Sequence, residues 1–307
     1  MMGVGEKIGK LWDSDMAYSL RASRLTLAAL AVLVLGCLLA FLAPWLAPHE
    51  PSNLGALNLS DSLLPPAWMD GGQASYFLGT DDQGRDVFSA ILYGTRISLI
   101  VGVISVLLSM AIGISLGLVS GYLGGKVDAL IMGLADVQLS FPSILIALLI
   151  DGVARTVLAK VMHENISYLV VILAISLSGW VTYARVVRGL TLLEKNKEYV
   201  QAAHVIGVHP FKVMLTHVLP NVTGTVFVLA TLHIGSAVMI EATLSFLGMG
   251  MPPSSPSLGT LISTGNKFLF SGEWWIFVFP GLVLVALILA VNLLGDWLRD
   301  FFNPKLQ

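Results

Sequence analysis

The sequence predicts an all-α polytopic membrane protein with six transmembrane helices and both termini in the cytoplasm. Composition is the first of three observations behind this prediction. Of 307 residues, 56% are hydrophobic and 12% charged, and the mean hydropathy is +0.83, outside the range of soluble domains. The second is a series of apolar runs that approach or exceed the roughly 20 residues needed to cross a bilayer. Charge placement is the third. A six-span arrangement puts Lys7, Lys10, Arg21, Arg24, Lys126, Arg185, Arg188, Lys195, Lys197, Lys212, Arg299 and Lys305 inside, and Arg85, Arg96, Arg155, Lys160 and Lys267 outside. Twelve against five satisfies the positive-inside rule. The net charge of −2 offers no basic surface for nucleic acid, and the single cysteine, Cys37, excludes an intrachain disulfide.

Taken in order, residues 1–24 are polar and basic, and span one occupies 25–47, too long an apolar run for a cleavable signal, with Trp45 as an interfacial anchor. Residues 48–95 carry Pro51, Pro65, Pro66, Gly71 and Gly72 and read as an external loop. Within it Thr80–Arg96 predicts a short interfacial amphipathic helix, capped by Thr80 or Asp81 and stopped at Gly94. Span two covers 97–122. Its Gly113, Gly117 and Gly121, with Gly125 beyond, recur at four-residue steps, a face along which another helix can approach closely. Span three, 127–150, holds Asp136, Gln138, Ser140 and Pro142; the proline kinks it, and the carboxylate points it toward the bundle interior. Residues 151–165 form a polar external connection, where His163-Glu164 fails the zinc-helix pattern because Ser167 stands four residues on. Span four is 166–187, span five 223–247 with Glu241 and Ser245 on one face, and span six 274–294, starting at the interfacial pair Trp274-Trp275. The tail after 294 returns to water. The chain thus divides into an N-terminal part, 1–96, and a five-helix core, 97–307.

Between spans four and five lies a polar island, 193–222, the stretch with the most functional information. Glu198, Tyr199 and Gln201 lead into a smooth Ala202-Ala203 patch that another protein's cleft can close around. Gly207 permits a sharp change of direction. Phe211, Val213, Met214 and Val218 then mark a second short amphipathic helix, up to Leu219 and Pro220, where span five begins. The chain contains no GxxxxGK[ST] phosphate loop, no GxSxG elbow and no histidine-carboxylate metal spacing, so it carries no ATPase of its own and no catalytic site. Asp136, Gln138, Ser140, Pro142, Glu241 and Ser245 are the candidates for a translocation path, set against the plainer reading that each is satisfied within helix packing. If the chain were instead an ATP-independent secondary transporter or channel, Asp136 and Glu241 would be its ion-coupling groups.

Gln201-Ala202-Ala203, Gly207 and Leu219-Pro220 stand at the spacings of the cytoplasmic signature of ABC importer permeases: Glu-Ala-Ala, three residues, Gly, nine residues, an apolar position, any residue, Leu-Pro. Gln201 replaces the usual Glu. His217 before Leu219-Pro220-Asn221 resembles the oligopeptide/dipeptide/nickel branch, and Leu78–Leu99, Glu241–Ile262 and Asn292–Leu306 resemble that branch's C-type permease subunit. This resemblance implies a type I ABC importer permease fold in a bacterial inner membrane and heterodimerisation with a homologous B-type permease. It further implies two cytoplasmic ATPase subunits that hold ATP and Mg, and an extracytoplasmic solute-binding protein that delivers peptides or a related solute. The 193–222 loop would dock in an ATPase cleft and drive alternating access.

Overall fold

The computed structural model describes residues 15–51, 58–158, 164–252 and 254–302; His163 and the side chain of Glu164 lie outside them. Helices make up the architecture, with one isolated bridge, Thr80 to Asp86, as the β pairing among the described residues. Among the described residues five helices are long and apolar enough to span a membrane, and one bent pair passes the same test of length and composition when its two helices are taken together.

After a short α1 (Asp15–Ala22), α2 (Arg24–Phe41) forms span one. The Ser23 hydroxyl accepts the Thr26 amide hydrogen at 3.2 Å, satisfying an amide the helix cannot pair itself. A turn of helix, α3 (Ala43–Leu46), ends it.

The expected interfacial helix and span two prove to be one helix, α4 (Val87–Leu123). Its cap is Asp86, whose carboxylate accepts from the Ser89 amide at 2.9 Å. Thr80 and Asp81 cannot cap because they are used upstream: Thr80 pairs with Asp86 in the bridge, and Asp81 forms a buried ion pair with Arg85 at 2.6 Å. Gly94 stops nothing. A Cβ there would sit 3.2 Å from the Ser257–Leu258 backbone, so the glycine serves close approach of a neighbouring segment.

Along the rest of α4 small residues form the seam against α7 (Glu164–Glu194). Ser109 donates to the Ser176 carbonyl at 3.0 Å, and Ser176 donates back to the Ser105 carbonyl at 3.1 Å. Further along, a Cβ at Gly117 would meet Val187 at 2.9 Å, and one at Gly121 would meet Thr191 at 2.8 Å. The predicted glycine face is therefore a helix-packing face, except for Gly125, which has φ +56° and begins the next helix.

Span three departs most from expectation. Rather than one kinked helix it is two, α5 (Gly125–Leu139) and α6 (Ser143–Leu158), bent by 96°. Pro142 supplies no amide hydrogen and disfavours helical geometry at Phe141, while the Ser140 hydroxyl donates to the Asp136 carbonyl at 3.0 Å and caps the end of α5. Residues 151–158, expected as a connection, continue α6. Asp151 is fully buried and pairs with Arg155 at 2.5 Å; Arg155 in turn donates to the Met249 carbonyl at 2.6 Å, fastening α6 to the loop after span five.

Beyond α7 come α8 (Glu198–Val205), α9 (Pro210–Val213), α10 (Leu219–Phe246), α11 (Leu258–Phe268) and α12 (Trp275–Phe301). Trp275 is buried: it packs with Val87, Ile91 and Leu258, and its indole donates to the Thr80 carbonyl at 3.2 Å. α12 also continues through the tail expected in water, because Leu294 and Gly295 are buried and Trp297 donates to Ser19 at 3.2 Å.

Candidate functional site

The loop between spans four and five is held by bonds to three helices. Lys195 reaches from the end of α7 to the Gly121 carbonyl of α4 at 2.8 Å. Tyr199, on α8, donates to the Glu194 carboxylate of α7 at 2.6 Å, and Asn221 of α10 donates to the Tyr199 oxygen at 3.1 Å. Partial burial, and then the Glu194 carboxylate, push the Tyr199 phenol up to about 12, so it remains a donor throughout the physiological range. His204 at the far end of α8 stacks on Tyr122 of α4, with 3.0 Å between ring nitrogen and hydroxyl.

Gly207 closes α8 with φ +80°. Its amide donates to the His204 carbonyl and the Val208 amide to the Ala203 carbonyl, both at 3.0 Å, the paired bonds of a Schellman cap. Past this cap the chain departs from the expected second short helix. α9 passes through a π turn, Met214–Val218, directly into α10, so the loop's second arm is the beginning of span five. The turn is wide because the Leu219 amide donates to Met214, five residues back. This extra residue lets Pro220, which has no amide hydrogen, stand inside a continuous helix.

The Ala202-Ala203 patch is also divided. Ala202 is exposed, but Ala203 is buried beside Val200, Val213 and Val218. The surface that α8 offers instead is apolar: Val205 is 87% exposed, Ile206 77% and Phe211 61%. Glu198, Gln201 and Pro220 are exposed around it and Leu219 is partly buried; Gln201 donates to the Asn196 carbonyl at 3.1 Å. Val205 and Ile206 were not singled out from the sequence; with Val200 and Ala203 buried, helical spacing turns position 205 outward.

A cavity of about 330 Å³ lies between α4, the α5–α6 bend, α7 and α10. Its polar lining is Ser109, Gln138, Ser143, Ser178, Thr182, Tyr183, His233 and Ser236, with no Asp, Glu, Lys or Arg. Of the broken backbone at 140–142, Phe141 borders this cavity. Of the path candidates, only Gln138 lines this space, and its amide is anchored, accepting from Trp180 at 2.9 Å and donating to the Leu177 carbonyl at 2.9 Å. Asp136 is exposed and paired with Arg185, turned away from the interior expected for it. Ser140 and Pro142 are exposed at the bend. Glu241 and Ser245 do share a face, but one buried against α4: Ser98 and Ser245 both donate to the Glu241 carboxylate at 2.7 Å. The polarity of isolated residues pointed to these; the cavity's serines carry no such signal, being ordinary in packed membrane helices, whereas His233 is a lone ionisable residue within span five. Among the described residues no cluster of His, Cys, Asp and Glu is placed to hold a metal.

Comparison with known proteins agrees with the motif spacing. Residues 113–307 match the family of binding-protein-dependent transport system inner membrane components, and residues 10–66 match the N-terminal TM domain of oligopeptide transport permease C. The dipeptide transport system permease protein DppC of Haemophilus influenzae is 40% identical over 287 residues, covering 94% of this chain and 92% of that protein. The di/tripeptide transport system permease protein DppC of Pseudomonas aeruginosa is 37% identical, covering 92% and 88%. The oligopeptide transport system permease protein OppC of Bacillus subtilis is 35% identical, covering 99% and 94%. With its bundle of apolar helices and a match over most of its length, the chain belongs to the family of binding-protein-dependent transport system inner membrane components.

Proposed function

We propose that this chain forms one half of the membrane pore of an ATP-driven importer of di- or oligopeptides. A homologous B-type permease supplies the other half, two cytoplasmic ATPase subunits with bound ATP and Mg drive it, and an extracytoplasmic solute-binding protein loads it. The observation that carries this reading is the exposed apolar tip Val205-Ile206-Phe211, fixed through Tyr199, His204 and Lys195 to α7, α4 and α10. An apolar anchor on a braced support is what a partner's cleft needs to grip if force is to reach the spans. α10 runs from this tip to the cavity, where it contributes His233 and Ser236, so movement of the tip changes the cavity wall. The relatives' names supply the peptide. The secondary-transport reading loses support, since Asp136 is taken by Arg185 and Glu241 by two serines.

The test is reconstitution with all partners in proteoliposomes. ATP-dependent dipeptide uptake is expected, and Ile206→Asp, at an exposed position, should lower it by about tenfold or more, the size of a lost interface anchor. Gly207→Val should do the same by straining a left-handed cap. Uptake driven by an ion gradient without ATP would overturn the proposal.

A further inference from the structure

Arg96 is a half-buried arginine of α4 with no ion-pair or hydrogen-bond partner among the described residues. On α6, α7 and α12, by contrast, each arginine has an aspartate: Arg155 has Asp151, Arg185 has Asp136, Arg188 has Asp128 and Arg299 has Asp296. Arg96 also stands where two cavities meet. One is an apolar groove of about 670 Å³ between α2, α4, α10 and α12, lined by residues such as Leu33, Cys37, Val103, Ile234 and Leu294. The other is a pocket of about 250 Å³ bordered by Tyr93, Tyr168 and Ser255. Both include Arg96 and Ile100.

Helix directions place Arg96 at one end of the groove. The chain just after α2 returns to the start of α4, where the His49 amide donates to Ser89, and the opposite end of α12 meets α1 at Trp297 and Ser19. The groove therefore runs from Phe41 and Arg96 toward Leu20 and Trp297, about 30 Å at 1.5 Å per helical residue. A guanidinium at the end of an apolar groove is matched by an anion that carries a hydrocarbon tail, and a phosphate is an anion it pairs with in bidentate fashion.

We propose that this is a binding site for an anionic glycerophospholipid. Its phosphate pairs with Arg96, its head group occupies the Tyr93, Tyr168 and Ser255 pocket, and an acyl chain lies along the groove. Charge favours lipid over a partner's apolar helix, which would leave Arg96 unpaired. The site is independent of the transported solute.

The experiment uses the purified, assembled transporter, stripped of lipid in detergent and then given phosphatidylglycerol or phosphatidylcholine, with bound lipid read by native mass spectrometry. The wild type should retain phosphatidylglycerol in preference, and Arg96→Gln should reduce that preference by about tenfold, the scale of one charge-assisted contact. A photo-crosslinking residue at Val103 should capture lipid. Equal retention by wild type and Arg96→Gln would overturn the proposal, as would no retention by the wild type or a crosslink from Val103 to a partner polypeptide.

Discussion

Glu241 has no exposed surface, and its two carboxylate oxygens accept separately from Ser98 and Ser245. Ser98 also accepts the Leu258 amide hydrogen at 3.3 Å, so one acidic residue ties α4, α10 and α11 together. Removing a single member of such a buried network strands the others. Glu241→Leu should therefore destabilise the transporter by about 3 kcal/mol, whereas Glu241→Gln, which keeps acceptor and shape, should cost about 1 kcal/mol; thermal unfolding of the purified complex would show the order. Tyr199 offers a second residue-scale test. Tyr199→Phe loses the bonds to Glu194 and Asn221 and should lower uptake a few-fold. Because the phenol loses its proton only as pH rises through about 12, that deficit should not change with pH across the physiological range. Sequence alone marked Glu241 as an unusual residue and carried both a path role and satisfaction within helix packing, because polarity says that a partner must exist without saying whether it is a solute or a serine on another helix.

At the scale of elements, the α4–α7 seam was legible because glycines at four-residue steps in an apolar helix clear a strip for a neighbouring backbone. The structure also separates two kinds of glycine. Gly117→Leu should destabilise by several kcal/mol, since the added side chain starts 2.9 Å from Val187 and overpacking a tight contact is expensive. Gly133→Ala, on α5 with nothing within 4 Å of a Cβ, should be neutral or slightly stabilising. Equal melting temperatures for the two variants would contradict the seam. The break at Pro142 was legible as a disturbance but not as a right-angled turn. A proline specifies a lost hydrogen bond; how far the chain then swings depends on neighbours such as Trp180, which holds Gln138 from α7. Likewise the interfacial helix and span two could not be seen as one rod, because Gly94 reads as a stop until the Ser257–Leu258 backbone is placed against it.

For the whole molecule, the excess of lysine and arginine in alternate connections predicts that α8 and both termini face the cytoplasm. In a Cys37→Ser background, Val205→Cys should react with a membrane-impermeant thiol reagent only from the cytoplasmic side, and Trp68→Cys, exposed in the loop before α4, only from the other. The long apolar helices were readable from hydropathy because a segment that crosses a membrane must pair its own backbone groups. What joins the crossings was not, since α4, α9 with α10, and α12 all extend past their apolar segments. The π turn at Met214–Val218 gives this continuity a consequence in angle. One residue beyond the α-helical count is a phase step of about 100°, so Phe211 and His233 are clocked differently about their common axis than a straight helix would set them. On the proposed arrangement, deleting Leu215 should reset that phase and turn the tip away from the ATPase, giving an assembly that folds and still hydrolyses ATP but no longer moves peptide.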